Sequence, residues 1–248
     1  MIKKRAQYIQ TLILLDEIEY FHSNLSFEQP KTFFRELKYN ILTLYKFKEL
    51  LQLVSKDLKD NKEFIKLKKT IIKELDFINH IRNKISGHFD KPLLEKAAQW
   101  EPFIFYEENK NEELKVLMSY KTLFESSINS YIDKNNCHLI YQGEIDLNIQ
   151  NDRTKFLKTI YKLNETSIKI LFLIKISLEN QNIFFAKRQQ YIESKKAGLT
   201  NFNLKSNNLE LKSLSDPLIE ESFLMSLDLS NVNDLKLLLS KIEDKISS

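Results

Sequence analysis

Eleven residues, HIRNKISGHFD at positions 80–90, hold two of the four histidines in this 248-residue chain, with an arginine and one of its three glycines. Histidine titrates near neutral pH and can take or give a proton. Arg82 falls in the apolar line Ile71, Leu75, Ile78, Ile85, Phe89, where a charge is costly to bury without a partner. The parallel line Ile71, Glu74, Ile78, Ile81, Ile85 ends on His88. On an ideal helix Arg82 and His88, six residues apart, lie about 120° from each other. Gly87 lets the helix end or bend just before His88, bringing the imidazole toward the guanidinium. The alternative is a plain helix end, with Gly87 at the C′ position and Arg82 reaching out to the surface.

Neighbouring residues supply secondary candidates. Asp76 and His80, four apart, share a helix face and can pair. Ser86 sits one turn after Arg82, and Lys84 adds charge beside it, although helix-end bonding and an ordinary solvated lysine explain both. Elsewhere, Glu19 and His22 have the Glu-x-x-His spacing of a di-iron carboxylate site, but no second such pair exists. Cys137 and His138 form a lone adjacent pair in an expected loop. There is no phosphate-cradling glycine loop and no G-x-S-x-G elbow. Neither metal nor cofactor is expected.

The elements that must position these groups are helical. Three glycines and four prolines are too few for a protein rich in tight β-turns. A first helix is expected from about Lys4 to His22, with Ile9, Leu12, Ile13, Tyr20 and Phe21 inward. Ser26 and Gln29 have capping-box spacing ahead of a second helix over 32–56. Asn61 is expected to cap a third over 62–86, with Phe64, Leu67, Ile71, Leu75, Ile78, Ile81 and Ile85 as its apolar stripe. The Gly87–Pro102 region reads as a break. Helices follow over 111–134 and 152–196, with a short extended or hairpin segment over 137–147 between them. The expectation is an all-α antiparallel bundle over residues 1–180. Residues 181–248 form a linker and helical appendage, packed on the bundle or docking a partner.

Composition, at 42% hydrophobic and 29% charged, is ordinary for a soluble globular chain. The sequence shows no membrane-length apolar run, no secretory signal and a single cysteine, so a cytoplasmic protein is expected. The net charge of +4 is mild, but nine lysines against four acids between Lys46 and Lys73 lie just before the HIRNKISGHFD stretch. That block attracts a phosphate-bearing partner, or is simply a solvated face. From Leu209 onward, eight acids stand against four lysines.

The segment RNKISGH resembles the R-x(4–6)-H signature of HEPN-domain proteins, with the polar residue that family favours directly after the arginine, here Asn83. The resemblance rests on Arg82, Asn83, His88 and the helical setting to about residue 180. The six-residue spacing is at the long end, and a glycine beside the histidine loosens the geometry. The resemblance implies a metal-independent endoribonuclease with a toxin–antitoxin, anti-phage or RNA-processing role. His88 would then act as general base or acid, Arg82 would hold the scissile phosphate, and Asn83 would position phosphate or imidazole. The implied partners are RNA, a second copy sharing the site across a homodimer, and an antitoxin or other protein, with no membrane. A non-catalytic helical RNA- or protein-binding module is the competing expectation.

Overall fold

The computed structural model describes residues 1–85, 90–108, 110–181 and 183–184. The chain divides into two units, 1–183 and 184–248. Apart from Phe184 the second unit, and with it the expected linker and acidic C-terminal piece, lies outside the described residues. The first unit is an all-α bundle of six helices, α1 Ile2–Asn24, α2 Pro30–Val54, α3 Lys62–Ile85, α4 Lys91–Trp100, α5 Glu112–Asn129 and α6 Gln150–Glu179. A 3-10 turn spans Pro102–Phe105, and no strand occurs among the described residues. None of the described helices is long and apolar enough to cross a membrane.

Local chemistry sets most boundaries. Pro30 opens α2 from its first turn, where the missing N–H is no loss. The expected capping box does not form. Ser26 Oγ accepts from the Glu28 N–H at 3.3 Å instead, and Gln29, at the cap position, makes no side-chain cap bond. Asn61 caps α3 as expected, accepting from the Phe64 N–H at 2.9 Å. Asp90 and Asn111 do the same for α4 and α5, accepting from Leu93 and Leu114. The Gly87–Pro102 region is thus no simple break, because α4 fills most of it. The last long helix stops at Glu179, short of 196, with Asn180 as its cap in the polar run ENQN.

Cross-links show that α1 runs antiparallel to α2 and to α6, and α3 antiparallel to α2, so that α2 and α6 are parallel. Thr43 donates to Glu17 and Tyr20 to Glu36 between α1 and α2. Lys48 pairs with Asp76 and Lys68 donates to Ser55 between α2 and α3. Tyr8 donates to Glu179 between α1 and α6, and His22 meets Tyr161 edge-on near their other ends. The core is phenylalanine-rich. Phe33, Phe34, Phe47, Phe64, Phe77, Phe124 and Phe156 are fully buried, and Phe34 stacks on Phe124 at 5.5 Å. Each such burial stabilises the fold by roughly 1.5–3 kcal/mol. One polar pair is sealed inside. Asn40 on α2 and Asn164 on α6 exchange amide hydrogen bonds of 3.1 and 3.4 Å, both wholly buried.

The α3 stripe is buried as expected, except that Leu67 is only partly covered and Phe77, outside the stripe, is fully buried. Of the residues expected on the inward face of α1, only Phe21 is buried. Thr11, Leu14, Leu15, Ile18 and Phe21 face the core, whereas Ile9, Leu12, Ile13 and Tyr20 are exposed. This helix is apolar on both sides, so periodicity alone does not choose between them.

Candidate functional site

Arg82 and Asn83 lie in the last turn of α3. Arg82 does not sit in a closed apolar seam. It is half-buried at the edge of the α2–α3 contact, its guanidinium 4.4 Å from the ring centre of Tyr45 on α2. Its Nη1 donates to Asn83 Oδ1 at 3.1 Å, while its Nε is buried with no hydrogen-bond partner among the described residues. Tyr45 is itself held by Glu49, to which its hydroxyl donates at 2.8 Å; that bond raises the phenol's pKa above its ordinary value. Arg82 and Asn83 are therefore brought together on an aromatic platform. A planar cation stacked this way loses little rotamer freedom on meeting an anion.

The other candidates separate. Asp76 does not pair with His80, because Lys48 takes it at 2.7 Å. Lys84 is not a free charge; it bonds Asp90 at 2.6 Å and so ties the end of α3 to the start of α4. That bond and the Leu93 N–H hold the Asp90 carboxyl below its ordinary range. Ser86 and His88, with Gly87 between them, lie outside the described residues.

His80, two residues before Arg82 and thus on nearly the opposite side of the helix, serves another cluster. Its Nε2 is 2.9 Å from Ser130 Oγ, and Ser130 in turn donates to the Ser127 carbonyl at 2.9 Å. With that hydroxyl proton engaged, His80 is the donor through Nε2. Burial first, then the nearby Lys84, lowers its pKa. Tyr131 packs against the His80 ring at 5.0 Å, and Phe77 and Tyr141 bring in His138 beside it.

His138, adjacent to Cys137 in the sequence, is structural. Its Nδ1 accepts from both the Ile140 and Tyr141 N–H groups at 3.0 Å, so its Nε2 carries the proton donated to the Ile128 carbonyl at 2.9 Å. Both nitrogens are occupied, and the ring is not available to activate the exposed Cys137 thiol. Burial lowers the His138 pKa, in keeping with a neutral fastener. The expected hairpin over 137–147 reduces to one antiparallel bridge, Ile132 with His138. Side-chain bonds hold this segment instead, including the reciprocal pair between Asn129 and the Ile145 backbone at 2.9 and 2.8 Å. A cleft of about 740 Å³ opens beside it, lined by Trp100, Ser130, Cys137, His138 and Tyr141 among others. Nothing in residue spacing foretells this cluster, since His80 and Ser130 are 50 positions apart.

A second charged group lies on α5. Buried Lys121 sits 3.3 Å from both Glu101 and Glu125, and Glu125 accepts from the Leu147 N–H at 2.6 Å. Burial pushes the Glu125 carboxyl up to about 7, against the opposing pull of the Leu147 N–H and Lys121. The native state thus holds this proton more tightly than the unfolded chain does. Its contribution to stability falls as pH rises from about 4.5 through about 7. Glu125→Gln is expected to flatten that fall, read as the urea midpoint at roughly pH 5 and pH 8. An unchanged difference between the two midpoints removes Glu125 as its source. The geometry makes this group a clamp on the 144–149 segment.

Among the described residues, buried side-chain atoms without a partner occur at Arg82 Nε and also at Ser126, Ser127 and Thr122 near the other two groups; what sets the Arg82–Asn83 pair apart is a cation over an aromatic ring, whereas His138 and Glu125 have their bonds directed into the fold. Compared with known proteins, the chain matches no family model, no curated protein and no solved structure.

Proposed function

We propose that this chain is a metal-independent endoribonuclease of the HEPN type, with its site at the end of α3 in a homodimer. The observation that carries the reading is Arg82, whose half-buried guanidinium lies over the Tyr45 ring and is joined to Asn83, and whose Nε has no partner among the described residues. In RNA the 2′-oxygen attacks the adjacent phosphorus while the bond to the 5′-oxygen breaks. His88 takes the 2′-hydroxyl proton, and a protonated imidazole, the second copy's in a shared site, gives one to the leaving 5′-oxygen. Arg82 holds the non-bridging oxygens as their negative charge grows, and Asn83 orients the phosphate. The products are a 2′,3′-cyclic phosphate and a 5′-hydroxyl. A toxin or phage-defence role, an antitoxin or other protein partner, and a cytoplasmic location accompany this reading through the resemblance of RNKISGH.

A second reading, a non-catalytic helical module that binds RNA or protein, is favoured by one observation. Lys84 and Asp76 are both engaged in ion pairs, which leaves Arg82 with few charged helpers on its own helix. Incubating the full chain with mixed RNA in EDTA separates the two. The enzyme gives cyclic-phosphate ends, and His88→Ala lowers the rate by about 10²–10⁴-fold. Intact RNA with the wild-type chain defeats the enzyme reading, and retention of RNA without cleavage supports the module.

A further inference from the structure

Helix α1 carries a second apolar face that the described unit leaves in solvent. Ile2, Ala6, Ile9, Ile13, Asp16 and Tyr20 are all exposed, and the four large ones among them keep half or more of their surface open. Their spacings are four, three, four, three, four, the a/d period of a heptad seam. At 1.5 Å per residue the stripe is about 27 Å long. Single exposed apolar residues are ordinary, but four large ones on one line, interrupted by the charged Asp16, mark an interaction surface.

The pattern is nearly symmetric about position 11. Positions 2 and 20, 6 and 16, and 9 and 13 are equidistant from it, and so are the exposed Lys3 and Glu19. An antiparallel copy therefore lays Ile9 on Ile13, Ile2 on Tyr20 and Ala6 on Asp16, with Lys3 beside Glu19 at each end. A parallel copy lays Lys3 on Lys3 and Glu19 on Glu19, which repels. The helix's charges also run against its own dipole. The N-terminal turn carries three cations and no acid, and of these Lys4 pairs with Asp57 and Arg5 donates to the Ile183 carbonyl while Lys3 is exposed; Asp16 and Glu19 are exposed toward the other end. An antiparallel partner offsets both ends at once. Phe172 and Ile176, exposed on the antiparallel neighbour α6, lie level with Ile13 and Ile9, as the Tyr8–Glu179 and His22–Tyr161 contacts fix the alignment.

We propose that α1 is the two-fold interface of a homodimer, its outer stripe paired antiparallel with that of a second copy. The contact is separate from any pairing of the α3 ends and does not rest on the ribonuclease reading. Light scattering on the full chain at micromolar concentration is expected to show self-association, and Ile9→Glu with Ile13→Glu to lower the mass at unchanged helical circular dichroism, to a monomer, or to a dimer where the α3 ends also pair. Glu19→Lys, a milder change on an exposed position, weakens the dimer, and adding Lys3→Glu restores it. In a Cys137→Ser background, mixing Ile9→Cys chains with Ile13→Cys chains and oxidising with copper phenanthroline links the two kinds to each other. A monomeric wild type overturns the proposal and leaves the face to another protein. So does an assembly whose mass is the same with and without the Glu19→Lys and Ile9→Glu/Ile13→Glu changes, which places the contact elsewhere, as at the α3 ends. Cross-links confined to identical positions overturn the antiparallel arrangement.

Discussion

Arg82→Ala is expected to lower RNA cleavage by about a hundredfold or more while leaving the fold nearly as stable as before. The loss follows from the role proposed for the guanidinium. Removing a preorganised donor aimed at developing charge costs about 10²–10³ in rate. The small effect on stability follows from its position. Arg82 is half-buried at a helix edge, makes one side-chain hydrogen bond, and stacks on Tyr45, a contact of about 0.5–1 kcal/mol at such a site. Arg82→Lys is expected to restore little, because an ammonium neither stacks as a plane nor offers a fork to two phosphate oxygens. Tyr45 acts through Arg82 as a positioning residue. Tyr45→Phe keeps the ring and the rate, whereas Tyr45→Leu lets the guanidinium drift from the developing charge, so kcat falls by less than in Arg82→Ala and KM changes little. A wild-type cleavage rate in Arg82→Ala removes the arginine from the mechanism, whatever the fate of His88.

Asn40→Ala is expected to be the most damaging of the polar core substitutions, at about 2–4 kcal/mol. Two effects add: Asn164 is left with an unpaired amide in a site closed to water, and a small void opens between α2 and α6. For a domain of this size the melting temperature falls by roughly 4–16 °C. Replacing both partners, Asn40→Leu with Asn164→Leu, is expected to recover most of the loss, since leucine has nearly the shape of asparagine and needs no hydrogen-bond partner. The non-additivity is the informative quantity. If Asn40→Ala costs under about 1 kcal/mol, or the double variant is worse than either single one, the pair does not act as a closed unit.

The same pair shows where sequence reading stops. Asparagines 124 positions apart carry no local sign that they meet. By contrast, α3 has a single apolar stripe, so its period dictates both the helix and its buried face, and Asn61 announces its start. Helix α1 is apolar on two sides, and there the period identifies a helix without identifying which side faces in. The bundle decided that, by packing Leu14, Leu15 and Ile18 between α2 and α6 and leaving Ile9 and Ile13 out. At the site, Arg82 and Asn83 are legible as neighbours on one turn, and His88 lies outside the described residues. The Asp76–His80 pairing that the spacing allowed gave way to Lys48 and Ser130, each supplied by a different helix end.

By itself, then, the chain's order of residues determined an all-α bundle, the starts of five helices to within about two residues, though not that of α4, and the local Arg82–Asn83 pair. These depend on interactions within a few residues, which propensity, capping and period express directly. Tertiary structure alone decided the Tyr45 platform beneath Arg82, the conversion of His80 and His138 to internal fasteners, the raised pKa of Glu125 and the exposed stripe of α1. Each of these depends on which groups from distant segments share a small volume, and on how much water that volume admits.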